Sequence, residues 1–227
     1  NSNSEFSAAP DFELNDKDCD IQIFKNGFSC VAGSKQISQI FTNTNPNATI
    51  IVEGKTQHYF SYGLAKLNAY GYASVTIQNL YPNIDIRYEV HPEIASGFKY
   101  SIILKKGSNI SHISWKITGD DSSTWSSTAK TTIISKHLII NQTEWKVYDE
   151  IGTPVSLRFI REYDTVKLQI QSYKLHEAYN IDPWVYTITN MDTLKYTKYS
   201  FHRNSGMMAC LLKSLNEIIY FPKDITI

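Results

Sequence analysis

The sequence predicts an all-β fold: an antiparallel β-sandwich or barrel-like domain, long enough to hold two β subdomains. Apolar and polar residues alternate strictly over residues 84–90, as a half-buried strand requires, because successive side chains point to opposite faces. Turn residues such as Asn26-Gly27 recur at short intervals between similar apolar segments. No segment before residue 205 keeps a helical spacing of apolar residues.

Length and composition indicate a globular protein. The 227 residues are enough to bury a sizeable core, and 42% of them are hydrophobic. The 22 basic residues balance the 22 acidic ones, so we expect no nucleic-acid partner. No apolar stretch reaches the roughly 18 residues of a membrane-spanning helix, so we expect no transmembrane segment. The chain begins Asn1-Ser2, as expected of a fragment or of a protein whose targeting peptide has been removed.

The first half of the chain predicts a polar N-terminal arm followed by closely spaced strands. Residues 1–18 are polar and acidic without periodicity, which indicates a loose arm. From Cys19 onward, turn signals separate eight predicted strands, at residues 20–24, 28–33, 36–42, 49–54, 57–63, 72–78, 84–90 and 97–104.

A tight turn at Tyr81-Pro82-Asn83 leads into the central strand of this pattern. Proline suits the second position of a turn and Asn83 accepts a left-handed conformation at the third, which predicts a type II turn. Asp85 follows on the face of strand 84–90 that we expect to be in contact with solvent. The alternation resumes at 97–104, so the two segments predict a β-hairpin with one apolar face.

The second half of the chain repeats this pattern after an interruption. A strand around 110–117 carries Trp115 on its apolar face, and the loop-like residues 119–130 mark a candidate subdomain boundary. Further strands are predicted at 131–135, 137–140, 144–148, 155–159 and 166–170. We therefore expect an all-β domain over residues 19–185 and a C-terminal tail over 186–227.

The three cysteines allow at most one internal disulfide. A two-residue hairpin turn at Asn26-Gly27 would place Ile23 opposite Cys30 and would leave Cys19 about 13 Å away along the strand, beyond disulfide reach. We therefore expect buried free thiols at Cys19, Cys30 and Cys210.

Three glycosylation sequons begin at Asn47, Asn109 and Asn141. Each lies next to turn-like or strand-end sequence, where a glycan could project. The sequons are compatible with a secreted glycoprotein located outside the cell or at its surface.

Five stretches in order resemble one family. Asn79-Leu80-Tyr81-Pro82-Asn83-Ile84-Asp85-Ile86-Arg87-Tyr88 is similar to its "lYPGID-x-x-Y" signature, although Asn83 replaces the usual glycine. The other four stretches are Phe98–Leu104, Gly107–Ile113, Thr118-Gly119 and Tyr179-Asn180-Ile181-Asp182-Pro183. The family is the uncharacterised, DUF7948-like all-β domain found at the N-terminus of secreted SBBP-repeat surface proteins. The resemblance implies an all-β fold over residues 20–185 and a role at the cell surface.

The tail departs from that resemblance. Where the family continues into propeller repeats, residues 186–227 look like one eroded repeat unit. A single unit cannot close a propeller, so either the chain is cut from a longer one or the tail packs against the main domain or a neighbouring chain. Packing is the interpretation we favour.

No group of residues specifies a reaction. The sequence contains no nucleophile elbow, phosphate loop or dinucleotide fingerprint, and its histidines are scattered. We therefore expect no enzyme activity, no catalytic residues, no cofactor and no metal site. The alternative function is a lectin-like module that stacks glycans on aromatic rings. The residues that suggest it are the 15 tyrosines together with Trp115, Trp125, Trp145 and Trp184. Tyr59, Tyr62 and Tyr72 fit core or cross-strand packing equally well.

The leading expectation is a non-enzymatic structural or adhesion module that assembles with other protein chains, either with itself or in a surface complex. An uncapped edge strand or the tail would add to a neighbouring chain through backbone hydrogen bonds. Two short, apolar, β-prone segments supply the assembly candidates, which are Val185, Tyr186, Ile188, Ile218, Ile219, Tyr220 and Phe221. Deleting residues 186–227 should then leave a folded and more soluble monomer.

Overall fold

The computed structural model describes residues 10–15, 19–56, 59–62, 67–90, 98–120, 122–125, 131–135, 138–143, 145–189, 199–202, 207–212 and 217–221. The first strands are β1 (Phe12–Asn15), β2 (Asp20–Phe24), β3 (Gly27–Ala32), β4 (Lys35–Phe41), β5 (Thr49–Glu53), β6 (Tyr59–Tyr62), β7 (Leu67–Tyr70), β8 (Ser74–Tyr81), β9 (Ile84–Glu89), β10 (Phe98–Leu104), β11 (Ser114–Thr118) and β12 (Ser122–Trp125). The remaining strands are β13 (Thr131–Ser135), β14 (Leu138–Gln142), β15 (Lys146–Asp149), β16 (Pro154–Val155), β17 (Leu157–Glu162), β18 (Thr165–Ile170), β19 (Tyr179–Asp182), β20 (Trp184–Thr189), β21 (Tyr199–His202), β22 (Met207–Leu212) and β23 (Glu217–Phe221). A 3₁₀ turn spans Ile110–His112.

Two antiparallel sheets pack against each other as a sandwich, which confirms the predicted all-β class. Sheet I has the strand order β1-β2-β3-β4-β11-β18-β17. Sheet II runs β12-β13-β14-β20-β10-β19-β15-β16, and a branch from β10 continues through β9 and β8 to β5. In the described part of the chain, the strands at the ends of each sheet have a partner on one side only, so neither sheet closes into a barrel.

Aromatic side chains fill the space between the sheets. Phe28 of sheet I meets Phe98 of sheet II edge to face, with ring centroids 4.9 Å apart. Trp115 stacks on Trp145 at 5.3 Å, and both indoles are buried. Contacts of this kind add to the free energy gained by burying aromatic surface, so this cluster stabilises the sandwich.

A buried polar bridge also joins the two sheets. The side-chain amide of Gln142 donates to Gln39 over 2.7 Å, and the amide of Gln39 donates to the hydroxyl of Tyr100 over 3.0 Å. All three residues are buried, so these bonds satisfy polar groups that water does not reach. The bridge therefore links strand β4 of sheet I to strands β10 and β14 of sheet II.

The predicted hairpin of strands 84–90 and 97–104 is confirmed, because β9 pairs with β10. Ile86 and Tyr100 lie buried on its apolar face. Each residue of β10 from Lys99 to Leu104 has an antiparallel partner in β9.

Three local predictions are wrong. The predicted loose arm includes β1, which pairs with β2. The predicted register of the first hairpin is displaced by two residues, because Phe28 pairs with Ile23 and Cys30 pairs with Ile21. A Cβ on Gly27 would overlap the carbonyl of Gln39, so this glycine occupies a strand position tight against β4 and not the turn.

The third wrong prediction is the loop-like stretch at 119–130. It contains β12, which pairs with β13, and sheet II holds strands from both sides of it. Serine, threonine and tryptophan fit strands as well as loops, so composition alone misled the prediction.

Cys19 and Cys30 are buried free thiols, as predicted. The side chain of Cys210 lies outside the described part of the structure. Strands β21, β22 and β23 form a separate three-stranded sheet that contains the predicted tail segment Ile218–Phe221.

Candidate functional site

The turn between β8 and β9 lies in the first of the five resemblance stretches. Asn83 has a φ of 61°, the left-handed conformation predicted for it, and Tyr81 pairs with Ile84 across the turn. The backbone N–H of Lys105 donates to the carbonyl of Asn83 over 2.9 Å. Pro82 presets the backbone of the turn. The turn is therefore held from both sides, by its own hairpin and by the chain that leaves β10.

Tyr81 connects this turn to sheet I. Its hydroxyl donates to the carbonyl oxygens of Thr42 and Ser114, at 2.8 and 3.2 Å. Burial raises the pKa of the Tyr81 phenol far above its usual range, so the phenol stays protonated and keeps donating. Tyr81 is therefore a structural tie between the sheets.

Asp85 is buried, which corrects the prediction that it lies on a solvent-exposed face. One carboxylate oxygen accepts the backbone N–H of Asn79 over 2.9 Å, and the other lies 2.7 Å from the ammonium of Lys105. Asn79 itself has a positive φ of 53° inside a register shift of β8. The alternation pattern cannot reveal this bulge, because the two extra residues of β8 between Ile77 and Tyr81 leave the apolar period of β9 unchanged.

Asp182 repeats the arrangement on the other side of β10. It lies 3.0 Å from the ammonium of Lys99 and accepts the Ser101 hydroxyl over 2.6 Å. The Asp85 and Asp182 signature stretches therefore flank β10, since β9 and β19 are both its neighbours. Each aspartate is neutralised by a lysine in β10 or directly after it.

Asp85 holds a backbone amide, and Asp85 and Asp182 each pair with a lysine. Asp85 and Asp182 are both engaged by lysine, so neither is arranged as a free acid or base. Among the described residues, no three His, Cys, Asp or Glu side chains lie close enough together to hold a metal ion. A surface groove between β17 and β18 is lined by Ser156, Arg158, Gln169, Ile170, Gln171 and Ser172.

Comparison with protein families identifies one match. The model of a family described as "Domain of unknown function (DUF7948)" matches residues 7–184. The chain belongs to this DUF7948 family. Neither the search of curated proteins nor the search of solved structures found a match.

The DUF7948 match covers all five resemblance stretches and ends within the fold. Its last residue, Trp184, is the first residue of β20. Strand β20 continues to Thr189 and pairs with β14 along its length. The boundary predicted after residue 185 therefore falls inside a strand.

Two of the three sequon asparagines are exposed. Asn47 lies just before β5, and Asn109 caps the 3₁₀ turn, where its side-chain oxygen accepts from the backbone and hydroxyl of Ser111. These bonds use the side-chain oxygen of Asn109, so its amide nitrogen, the atom to which an N-linked glycan is attached, takes no part in the cap. Asn141 is half-buried within β14, between β13 and β20, and accepts the hydroxyl of Thr132 over 2.9 Å. Asn47 and Asn109 are thus the more accessible acceptors.

The assembly candidate Val185 is a core residue. It is 1% exposed, and β20 lies between β14 and β10, so this residue is not at an uncapped edge. The backbones of Tyr186 and Ile188 pair with β14, while their side chains lie outside the described part. The second candidate segment, Ile218, Ile219, Tyr220 and Phe221, lies in β23, for which the described residues show one partner, β22. The apolar β-prone pattern does not distinguish an edge strand from a central one.

The lectin-like prediction loses two of its four tryptophans. Trp115 and Trp145 are buried and stacked on each other, so neither can present a face to a sugar. Tyr72 contacts the ring of Phe12 edge to face. The side chains of Tyr59, Tyr62, Trp125 and Trp184 lie outside the described part.

The sequence predicted a strand at 49–54, but the position of this strand, β5, at the edge of its sheet is a feature that sequence reasoning missed. In the described residues it pairs with β8 alone, so its other edge is free. Its sequence Thr-Ile-Ile-Val-Glu is apolar at three successive positions, yet Ile51 and Val52 are each 37% exposed. The sequence signal was present as β-branched residues beside a turn, but the strand order that leaves β5 at an edge is not readable from them.

No helix in the described part of the chain is long and apolar enough to cross a membrane.

Proposed function

We propose that this DUF7948 chain is a non-enzymatic structural or adhesion module that works by protein–protein assembly, and that β5 is the strand through which it joins another chain. The observation that carries the proposal is that, among the described residues, β5 has one free edge and exposed apolar side chains. An unpaired edge presents a row of backbone donors and acceptors to an incoming strand, and alternate side chains then give specificity.

The edge strands β1, β16 and β17 carry protection that β5 lacks, and the remaining edge strand, β12, is an uncharged strand of four residues. Natural sheets protect their edges with charged residues, proline or very short strands. Strand β17 has Arg158, Arg161 and Glu162, while β16 is two residues long and begins with Pro154. The four-residue β1 contains Glu13. In β5 the single charged residue is Glu53, at the very end of the strand.

Glu53 is also directed toward its own molecule. Its carboxylate lies 3.4 Å from the guanidinium of Arg87 and accepts the hydroxyl of Ser74 over 3.2 Å. Arg87 compensates part of this charge, so Glu53 repels an added strand less than an unpaired carboxylate would. The middle of β5, from Ile50 to Val52, is therefore uncharged on both faces.

We place this assembly outside the cell or at its surface. The support is the pair of exposed sequon asparagines, Asn47 and Asn109, and the resemblance of the turn signature to secreted SBBP-repeat proteins. Mass spectrometry of the protein from its natural source, with and without glycosidase, tests this placement. Glycan on Asn47 or Asn109 would support it, and glycan-free peptides at both positions would count against a glycosylated surface protein.

The mass of the natively purified protein tests the assembly proposal. Light scattering should give a mass well above the 26.0 kDa of one chain, either as a homo-oligomer or as a complex with another protein. A single chain that stays monomeric at all concentrations would contradict the proposal.

A further inference from the structure

We propose that the strand accepted by β5 is β5 of a second copy, paired antiparallel about a two-fold axis through Ile51. The inference rests on the proposed assembly function and specifies its partner. In this register Ile51 faces Ile51 of the partner subunit, and all five residues of β5 are paired. Sheet II would then continue from one molecule into the next.

The two faces of β5 suit this register. Ile50 and Val52 are aligned with the buried residues Ile77 and Val75 of β8, so they belong to the core-side face. In the antiparallel pair each Ile50 lies opposite a Val52, which extends that apolar row across the axis. Ile51 lies on the other face and meets its own copy. Cross-strand aliphatic pairs of this kind stabilise a sheet.

The charges of β5 favour the same register. With Ile51 at the centre, Glu53 lies opposite the neutral Thr49 of the other copy. An antiparallel shift that placed Glu53 opposite its own copy, or a parallel in-register pair, would bring two carboxylates together. Two-fold antiparallel pairing also closes on itself, as most homodimers do.

The expected association is weak. Pairing one five-residue strand covers much less than the roughly 800 Å² per partner of a standard stable interface. We therefore expect a dissociation constant above about 1 μM, which a high local concentration at a surface would overcome.

Sedimentation velocity of the purified chain over a range of concentrations tests the dimer. The Ile51→Lys variant places two ammonium groups opposite each other and should raise the dissociation constant at least about tenfold. Ile160→Lys is the matched control, because Ile160 is equally exposed, at 37%, in the edge strand β17. Equal dissociation constants for the two variants would overturn the inference.

Disulfide trapping tests the register. On a Cys210→Ser background, the remaining native cysteines, Cys19 and Cys30, are buried. Ile51→Cys should cross-link between copies under mild oxidation, because the two positions face each other. Val52→Cys should not, since the register sets the two copies of this residue two positions apart on the strand. Cross-linking of Val52→Cys but not of Ile51→Cys would overturn the proposed pairing.

Introducing a positive or a negative charge at Thr49 provides a test that does not alter the apolar centre of the strand. In unglycosylated protein, Thr49→Lys should tighten the dimer about threefold by pairing twice with Glu53, and Thr49→Glu should weaken it by a similar factor. The absence of any effect would contradict the register.

The two proposals fail in different ways. If the purified chain neither dimerises nor cross-links while the native protein is part of a larger complex, the self-pairing inference is wrong and the assembly function stands. If the native protein is a lone monomer, the assembly function itself is wrong.

Discussion

At the scale of single residues, the signature of the chain is a set of buried polar contacts. Asp85 is 5% exposed and holds both the Asn79 backbone and the ammonium of Lys105. The sequence predicted the left-handed Asn83 because turn chemistry is local. It could not predict the burial of Asp85, because that depends on a bulge in β8 and on the lysine that follows β10.

Replacing Asp85 by Asn should lower the free energy of unfolding by about 1–3 kcal/mol, because it removes a charge-assisted hydrogen bond at a buried site. Lys105 is half-exposed and can recover some hydration, which keeps the loss below that of a fully buried pair. Asp164→Asn is the control, since Asp164 pairs with Lys116 at the surface and its loss should leave stability unchanged. Urea unfolding of both variants measures the difference, and equal stabilities would contradict the role of Asp85.

At the scale of strands and turns, most elements were predictable and several registers were not. Period-two alternation located β8, β9 and β10, because each has one buried face. The first hairpin was misplaced because its glycine is needed for close contact with β4, and such a contact leaves no local signal.

Glycine at position 119 should be required for close packing. It has a φ of 78°, and a Cβ there would overlap the backbone carbonyl of Gln36. Gly119→Ala should cost about 3 kcal/mol or more, whereas Gly33→Ala should cost about 1 kcal/mol. Gly33 also has a positive φ, of 60°, but open space around it. Thermal unfolding compares the two, and equal losses would show that the contact with Gln36 is unimportant.

The path of β20 changes the expected effect of truncation. Deleting 186–227 would remove most of the strand that joins β14 to the rest of sheet II. We therefore expect that deletion to lose cooperative unfolding, and a deletion of 190–227 to keep the far-UV spectrum and cooperative unfolding of the sandwich. A folded 1–185 fragment as stable as 1–189 would contradict the role assigned to β20.

At the scale of the whole molecule, a core rich in buried phenols should make the sandwich sensitive to alkali. Burial raises the pKa of Tyr81, Tyr88 and Tyr100 far above the usual value near 10. Above about pH 10 the unfolded chain releases protons that the folded chain retains, so stability falls as pH rises. Below about pH 10 these three phenols are protonated in both the folded and the unfolded chain, so their contribution to stability is fully present.

The expected slope is up to about 1.4 kcal/mol per pH unit for each of the three tyrosines. Tyr88→Phe should reduce the slope by about a third, and Tyr163→Phe, at a side chain that is 97% exposed, serves as the surface control. Urea unfolding at a series of alkaline pH values measures the slopes. A Tyr88→Phe slope equal to that of the wild type would contradict the assignment.

The fold class could be predicted from the sequence, and the assembly surface could not. Alternation and turn residues are local, but whether a strand is central or at an edge depends on pairings between distant segments. The same apolar, β-prone pattern describes Val185 in the core and Ile51 at an edge. Because the strand order puts β20 inside the sheet and β5 at its edge, we place the proposed assembly site on β5 and not on β20.

Hydrogen exchange of β5 at low and high protein concentration tests the central claim most directly. The amides of Thr49–Glu53 that face the free edge should exchange rapidly in dilute solution and become protected as the protein associates. Strand β17, a charged edge, should exchange equally at both concentrations. If association leaves the exchange of β5 unchanged, another surface of the molecule holds the chains together.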